Sequence, residues 1–211
     1  MTAGTARGTG IGTEDGEIAT LTVLFTDIVG STALTERLGD ARWVQVLSAH
    51  DVIVRRVLRV HGGRELKTVG DGFMAVFANA AAAVRAGIDV QRLVRTIRIP
   101  EIRGSLRVRV GAHAGPVVCR GGDVLGHNVN VARRIVCAAD PGQVLVSSAV
   151  KILAEPYADV CAGPVRSLHL RGVAEPVAVY AMAVEERRLG GTLHVLHPLH
   201  PAGWGLELEP A

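Results

Sequence analysis

The strongest constraint on how this chain folds is a glycine-flanked aspartate, Gly70-Asp71-Gly72, set between two runs of strand-forming residues. Residues 65–69 and 73–77 are too short for helices, and the glycines supply the backbone freedom that a tight antiparallel hairpin needs. A second aspartate, Asp27, follows the apolar run 21–25 and precedes Ile28-Val-Gly-Ser-Thr32. A buried strand ending in a carboxylate beside a glycine turn puts that carboxylate on the rim of a sheet, within reach of a divalent cation. Two such ends side by side form a pair of the kind that clamps two metals on a nucleoside triphosphate. Unit like charges about 4 Å apart repel by about 4 kcal/mol at an effective dielectric of 20. Without a cation, the pair separates or takes up a proton.

The remaining periodicities supply a sheet and its helices. A helical stretch covers residues 32–60 with a break near Gly39, and Trp43, Leu47, His50, Val54 and Val57 share one face at four-and-three spacing. That places His50 in a core or interface, not on a ligand. The same spacing in Ala83, Gly87, Val90, Val94 and Ile97 predicts a helix over 79–97, stopped by Pro100. Residues 106–110 alternate strictly and continue as a strand to 118. A helix over 128–139 ends at Asp140-Pro-Gly142. Strands at 144–146, 169–171 and 177–184 and a short helix at 149–154 complete the domain. This order predicts an α+β fold, a mostly antiparallel sheet with helices packed on one face.

Composition removes several function classes. The net charge is +3 and aromatics are only 3% of residues, so the basic stripe with interleaved stacking rings of a nucleic-acid binder is missing. No apolar run approaches the roughly 20 residues of a membrane span, and the first residues lack the apolar centre of a signal peptide. Three cysteines, Cys119, Cys137 and Cys161, are odd in number and lack metal-type spacing, which predicts reduced thiols and a cytoplasmic location. Residues 1–19 read as a flexible lead-in, 20–185 as one domain and 186–211 as a tail. Gly8, Gly10 and Gly12 resemble part of a phosphate loop, but no strand precedes them, which favours a linker. His194, His197 and His200 fall at three-residue intervals; Pro198 and Pro201 interrupt any helix there, which favours a docked tail over a metal site.

Four blocks then carry a resemblance. Phe25-Thr-Asp27-Ile-Val-Gly-Ser-Thr32, Lys67-Thr-Val-Gly-Asp71-Gly72, Arg109-Val-Gly-Ala-His113-Ala-Gly115 and Asp123-Val-Leu-Gly126-His-Asn-Val-Asn130-Val-Ala-Arg-Arg134 occur in the order found in class III nucleotidyl cyclases. The likeness covers about residues 20–184. It implies a ferredoxin-like cyclase fold and a homodimer with two sites, each built from both chains. It also implies conversion of a nucleoside triphosphate to a 3′,5′-cyclic monophosphate and pyrophosphate, a lyase reaction using two Mg²⁺ or Mn²⁺ ions per site. By position, Asp27, Asp71 and the Ile28 carbonyl resemble the metal ligands, and Lys67 with Asp123 the base-reading pair. Asn130 and Arg134 resemble the residues that place the ribose and stabilise charge at the α-phosphate. Arg109 and Arg171 match positions that hold the polyphosphate.

The residue chemistry points to adenine. A lysine can donate to N1 and a carboxylate can accept from N6, whereas guanine presents the reverse at these positions. Guanine-specific members often carry Glu and Cys there, so Lys67/Asp123 implies ATP. Arg171 stands where lysine is more usual, His127 replaces a polar residue, and residues 118–123 form a shorter arm than in many members. The expected function is a cytoplasmic adenylate cyclase with no nucleic-acid or membrane partner. The alternative is a catalytically weak or inactive module that retains the fold.

Overall fold

The computed structural model describes residues 14–157 and 159–184. In chain order the elements are β1 (Ile18–Ile28), α1 (Ser31–Leu38), α2 (Asp40–Val60), β2 (Arg64–Val69), β3 (Gly72–Phe77) and α3 (Ala80–Val94). Two short strands follow, β4 (Arg98–Ile99) and β5 (Gly104–Ser105), then β6 (Val108–Arg120), β7 (Asp123–Leu125) and α4 (His127–Ala138). The last elements are β8 (Val144–Ser147), α5 (Ser148–Ala154), β9 (Val160–Leu168) and β10 (Val177–Val184). The main sheet runs β2-β3-β1-β6-β8-β10-β9, with β7 hairpinned onto β6. Every pairing in it is antiparallel except β6 with β8. Among the described residues, no helix is long and apolar enough to cross a membrane.

Alternation along β1 explains the layering, because successive side chains point to opposite faces. Leu24 and Ile28 join the larger core with α2, α3 and α5, and Leu34 and Leu38 of α1 pack against that core. Leu21, Val23 and Phe25 face the other way and meet Ala132 and Val136 of α4. The expectation of helices on one face therefore describes α1, α2, α3 and α5, while α4 covers part of the opposite face. Two glycines of β6 make this possible. A Cβ at Gly111 would lie 2.3 Å from the Val136 backbone nitrogen, and one at Gly115 would lie 2.6 Å from the Asn128 side chain. The α4 backbone rests directly on strand backbone, which any larger side chain would hold off.

Other details follow from local chemistry. Gly39 separates α1 from α2 as its position in the sequence suggests. His50 is fully buried, with its ring tilted against Phe73 at a centroid distance of 5.7 Å. Asn79 caps α3 by accepting from the Ala82 N–H at 3.0 Å. At the other end of α2, His61 Nε2 lies 2.7 Å from Asp89 Oδ2 and ties that helix to α3. Helix α3 ends at Val94, earlier than the expected 97, and Pro100 opens a 3-10 turn instead.

One strand lies elsewhere than the sequence pattern predicts. Residues 169–171 are not a strand; β9 occupies Val160–Leu168 and, among the described residues, pairs only with β10. Gly163 and Pro164 obscure it, yet proline is tolerated on an edge strand, where one side of the backbone has no ladder to complete. The three expectations at the termini (the early glycines, the three tail histidines and the tail itself) lie outside the described residues.

Candidate active site

Asp27 is the next-to-last residue of β1 and stands opposite Arg109 in the β1–β6 register. Their side chains form an ion pair, with Arg109 Nη2 at 3.0 Å from Asp27 Oδ2. The β2–β3 turn closes over the same strand end. A Cβ at Gly72 would fall 1.9 Å from the Thr26 carbonyl oxygen, so only glycine permits this approach. The Phe73 N–H then donates to Thr26 Oγ1 at 2.9 Å and locks the turn in place. Asp71 is thereby carried close enough for its charge to act on Asp27. Burial holds the Asp27 carboxyl above its ordinary range, Arg109 works against this, and the Asp71 charge adds to it.

The cluster fits a divalent cation. Asp71 Oδ2 is buried with no hydrogen-bond partner among the described residues, an arrangement that costs stability unless something else meets the oxygen. Two carboxylates against one guanidinium leave a formal negative charge. Ile28, only 2% exposed, anchors its side chain in the core and offers the site its backbone alone. Among the described residues no group of three or more His, Cys, Asp or Glu side chains could hold a metal. Magnesium needs no such cage, since one or two carboxylates plus substrate phosphates commonly suffice.

Beside this rim, on the α4 face of the sheet, lies a cleft of about 310 Å³ walled by Phe25, Val69, Met74, Val124 and Val129. Its polar lining comes from Lys67, Asn130 and Arg133. The Lys67 ammonium donates directly to Asp123 Oδ2, and Asp123 Oδ1 accepts from the Val124 N–H at 2.8 Å. The short arm is a hairpin: a Gly121-Gly122 turn with φ of 57° and 77° returns the chain to pair Asp123 with Arg120.

A second polar assembly fixes the start of α4. Asn128 Nδ2 donates to the Pro116 carbonyl at 2.7 Å, which aims its Oδ1 at His113 Nε2, 2.9 Å away. Nε2 must then carry the proton, so His113 Nδ1 accepts from the Ser147 hydroxyl at 2.8 Å. Burial lowers the His113 pKa below its ordinary 6.5 and keeps this neutral tautomer. Asn130 stands two residues beyond that anchor.

The predicted site residues thus separate into groups. Asp27, Asp71 and Arg109 gather at one strand end, and Lys67, Asp123 and Asn130 gather at the cleft. Arg134 is exposed on α4, outside the cleft lining. Arg171 is exposed in the β9–β10 turn. That turn adjoins Leu168 and Val177, next to the Ser147 end of β8. Because β8 runs parallel to β6, Arg171 lies at the sheet end opposite the Asp27–Arg109 pair. The apolar walls and Arg133 were not singled out from the sequence. Alternation along β1 and β3, and the three-residue spacing from Asn130, are the signals that could have found them.

Known proteins resemble this chain in sequence and fold. The family model described as the adenylate and guanylate cyclase catalytic domain matches residues 14–182. An uncharacterized protein of Mycobacterium tuberculosis is 33% identical over 159 residues, 75% of this chain and 40% of the relative. A receptor-type adenylate cyclase of Trypanosoma congolense is 31% identical over 77% of this chain and 27% of its own length. The chain thus spans less than half the length of these curated relatives. Among solved structures, the adenylyl cyclase CyaB from P. aeruginosa superposes with a TM-score of 0.73 at 25% identity, covering 82% of this chain and 98% of that one. The guanylyl cyclase Cya2 gives the same TM-score at 26% identity, covering 82% and 96%.

Proposed function

Because this chain belongs to the adenylate and guanylate cyclase catalytic domain family, we propose that it is an adenylate cyclase that forms 3′,5′-cyclic AMP and pyrophosphate from ATP at sites shared between two copies. The observation that carries the choice of ATP is the Lys67–Asp123 pair at the edge of the apolar cleft. An ammonium donor and a carboxylate acceptor, already side by side, match N1 and N6 of adenine, and both would be mismatched by guanine.

The reaction joins the ribose 3′-oxygen to the α-phosphorus and expels pyrophosphate in line. Asp27, Asp71 and the Ile28 carbonyl would hold two Mg²⁺ or Mn²⁺ ions, whose chemistry is to lower the pKa of the attacking hydroxyl and neutralise the phosphates. Phe25, Met74 and Val129 sandwich the base and exclude water from its faces. Asn130 positions the ribose from the helix that His113 and Asn128 anchor. Arg134 meets the charge that grows on the α-phosphate, and Arg109 and Arg171 hold the polyphosphate; charged hydrogen bonds of this kind contribute about 1.5–3 kcal/mol each. Among the described residues no side chain caps the N–H groups at the first turn of α1, leaving them for phosphate oxygens. Among the described residues no side chain is placed as a dedicated base, so the hydroxyl proton passes to solvent or substrate.

A shared site is supported by the separation of the groups within one chain. Arg171 and the Asp27–Arg109 pair occupy opposite ends of the sheet, and a two-fold partner can bring one copy's set onto the other's. Cytoplasmic action is in keeping with three free thiols. The test is product formation from Mn²⁺-ATP and Mn²⁺-GTP in parallel. Cyclic AMP is expected as the main product. Faster cyclic GMP formation would overturn the base assignment, and nucleotide binding with no product from either would favour the inactive module.

A further inference from the structure

We propose that Arg133 is a substrate-binding residue of the nucleotide cleft, a second cation that grips the purine ring away from the edge read by Lys67 and Asp123. This inference rests on the nucleotide-cleft reading above, and it adds a residue to which the motif resemblance assigns no role.

The helical phase of α4 sets the geometry. Val129, Asn130 and Arg133 recur at one-, three- and four-residue separations and all line the cleft. Arg134 lies about 100° further round the helix and does not line it. The opposite side of α4 is committed to the core through Val131, Ala132, Ile135 and Val136. Two adjacent arginines therefore have different surroundings: Arg133 borders the cleft of its own chain, and Arg134 faces outward.

Charge distinguishes Arg133 from the other cleft cation. Lys67 is neutralised by Asp123, whereas no described carboxylate pairs with Arg133. The cleft thus has one balanced polar edge and one edge with an uncompensated guanidinium beside the Asn130 amide. A purine with its N1/N6 edge at the balanced pair has only acceptors left on its ring, N3 and N7. Donors alone can satisfy those atoms, and Asn130 and Arg133 present them. Both adenine and guanine carry N3 and N7, so Arg133 adds affinity for purines over pyrimidines without choosing between the two purines.

The test uses the full chain with Arg133→Gln, which keeps helix propensity, and Arg133→Lys, which keeps the charge. Equilibrium binding of a non-cyclisable ATP analogue and of CTP is measured together with kcat and KM for ATP. For Arg133→Gln we expect about 10- to 100-fold weaker analogue binding and a matching rise in KM, with kcat changed much less. Preference for the ATP analogue over CTP should shrink, and Arg133→Lys should recover part of the loss. Unchanged analogue affinity and KM in Arg133→Gln would overturn the proposal, as would a fall in kcat with KM unmoved. Binding reads the Arg133 contact even if wild-type protein makes no cyclic AMP, so failure of the adenylate cyclase reading is seen separately.

Discussion

Replacing Asp71 by alanine is expected to lower cyclic AMP formation by at least about a thousandfold, roughly 4 kcal/mol of transition-state stabilisation, while making the metal-free fold more stable. Both effects come from the same atoms. Among the described residues Asp71 Oδ2 is buried without a hydrogen-bond partner, and the Asp71 charge helps hold the Asp27 carboxyl above the ordinary range. Removing a buried, unpartnered acceptor recovers about 1 kcal/mol or more of desolvation cost. The pH dependence has a definite sign. A raised folded-state pKa means that, above Asp27's ordinary 3.8, the folded chain holds the proton more tightly than the unfolded chain. Stability then declines as pH rises through that window, and the whole cost is present at neutral pH. Thermal unfolding in excess chelator should show the variant ahead of wild type at neutral pH, with the Asp27 part of the gain vanishing in acid. A variant that is inactive and also less stable would mean that Asp71 holds the turn together instead of serving a cation.

The double substitution Lys67→Glu with Asp123→Cys is expected to reduce the ATP-over-GTP ratio of kcat/KM by at least about a hundredfold, because sites that hydrogen-bond a substrate edge reject a mismatched one by up to about 10⁴ or more. The glutamate accepts from guanine N1, and removing the Asp123 carboxylate takes away a charge that guanine O6 would meet unfavourably. The fold should survive the change. Lys67 and Asp123 keep 45% and 32% of their side-chain surface exposed, and ion pairs that exposed contribute about 0–1 kcal/mol. Comparison of initial rates with both nucleotides checks the prediction. Full retention of ATP preference would move base recognition elsewhere in the cleft.

The parts of the fold that were legible are those with local signals. The hairpin around Asp71 could be read because glycines bracket the turn and apolar residues fill both strands. The Gly39 break and the buried face of α2 followed from helical spacing. The edge strand β9 could not be read, because Gly163 and Pro164 argue against a strand unless its edge position is known. Nor could the placement of α4, since nothing local says that Gly111 and Gly115 are contact points for a helix. The site shows the same division. Asp27 and Asp71 could be paired by their shared position at strand ends. Lys67 and Asp123 are 56 residues apart, and only resemblance to a family joined them before the fold did. That Arg109 stands opposite Asp27 is a matter of strand register, which sequence spacing alone does not specify.

The most direct test of the shared ATP site is to mix two inactive proteins, Asp71→Ala and Arg171→Ala, whose lesions lie at opposite ends of the sheet, and measure cyclic AMP from Mn²⁺-ATP. If copies exchange freely and each two-fold dimer has two composite sites, a mixed dimer places both lesions in one site and leaves the other intact, restoring about a quarter of wild-type activity. A mixture as inactive as its components, although exchange into mixed dimers is demonstrated, would contradict the account.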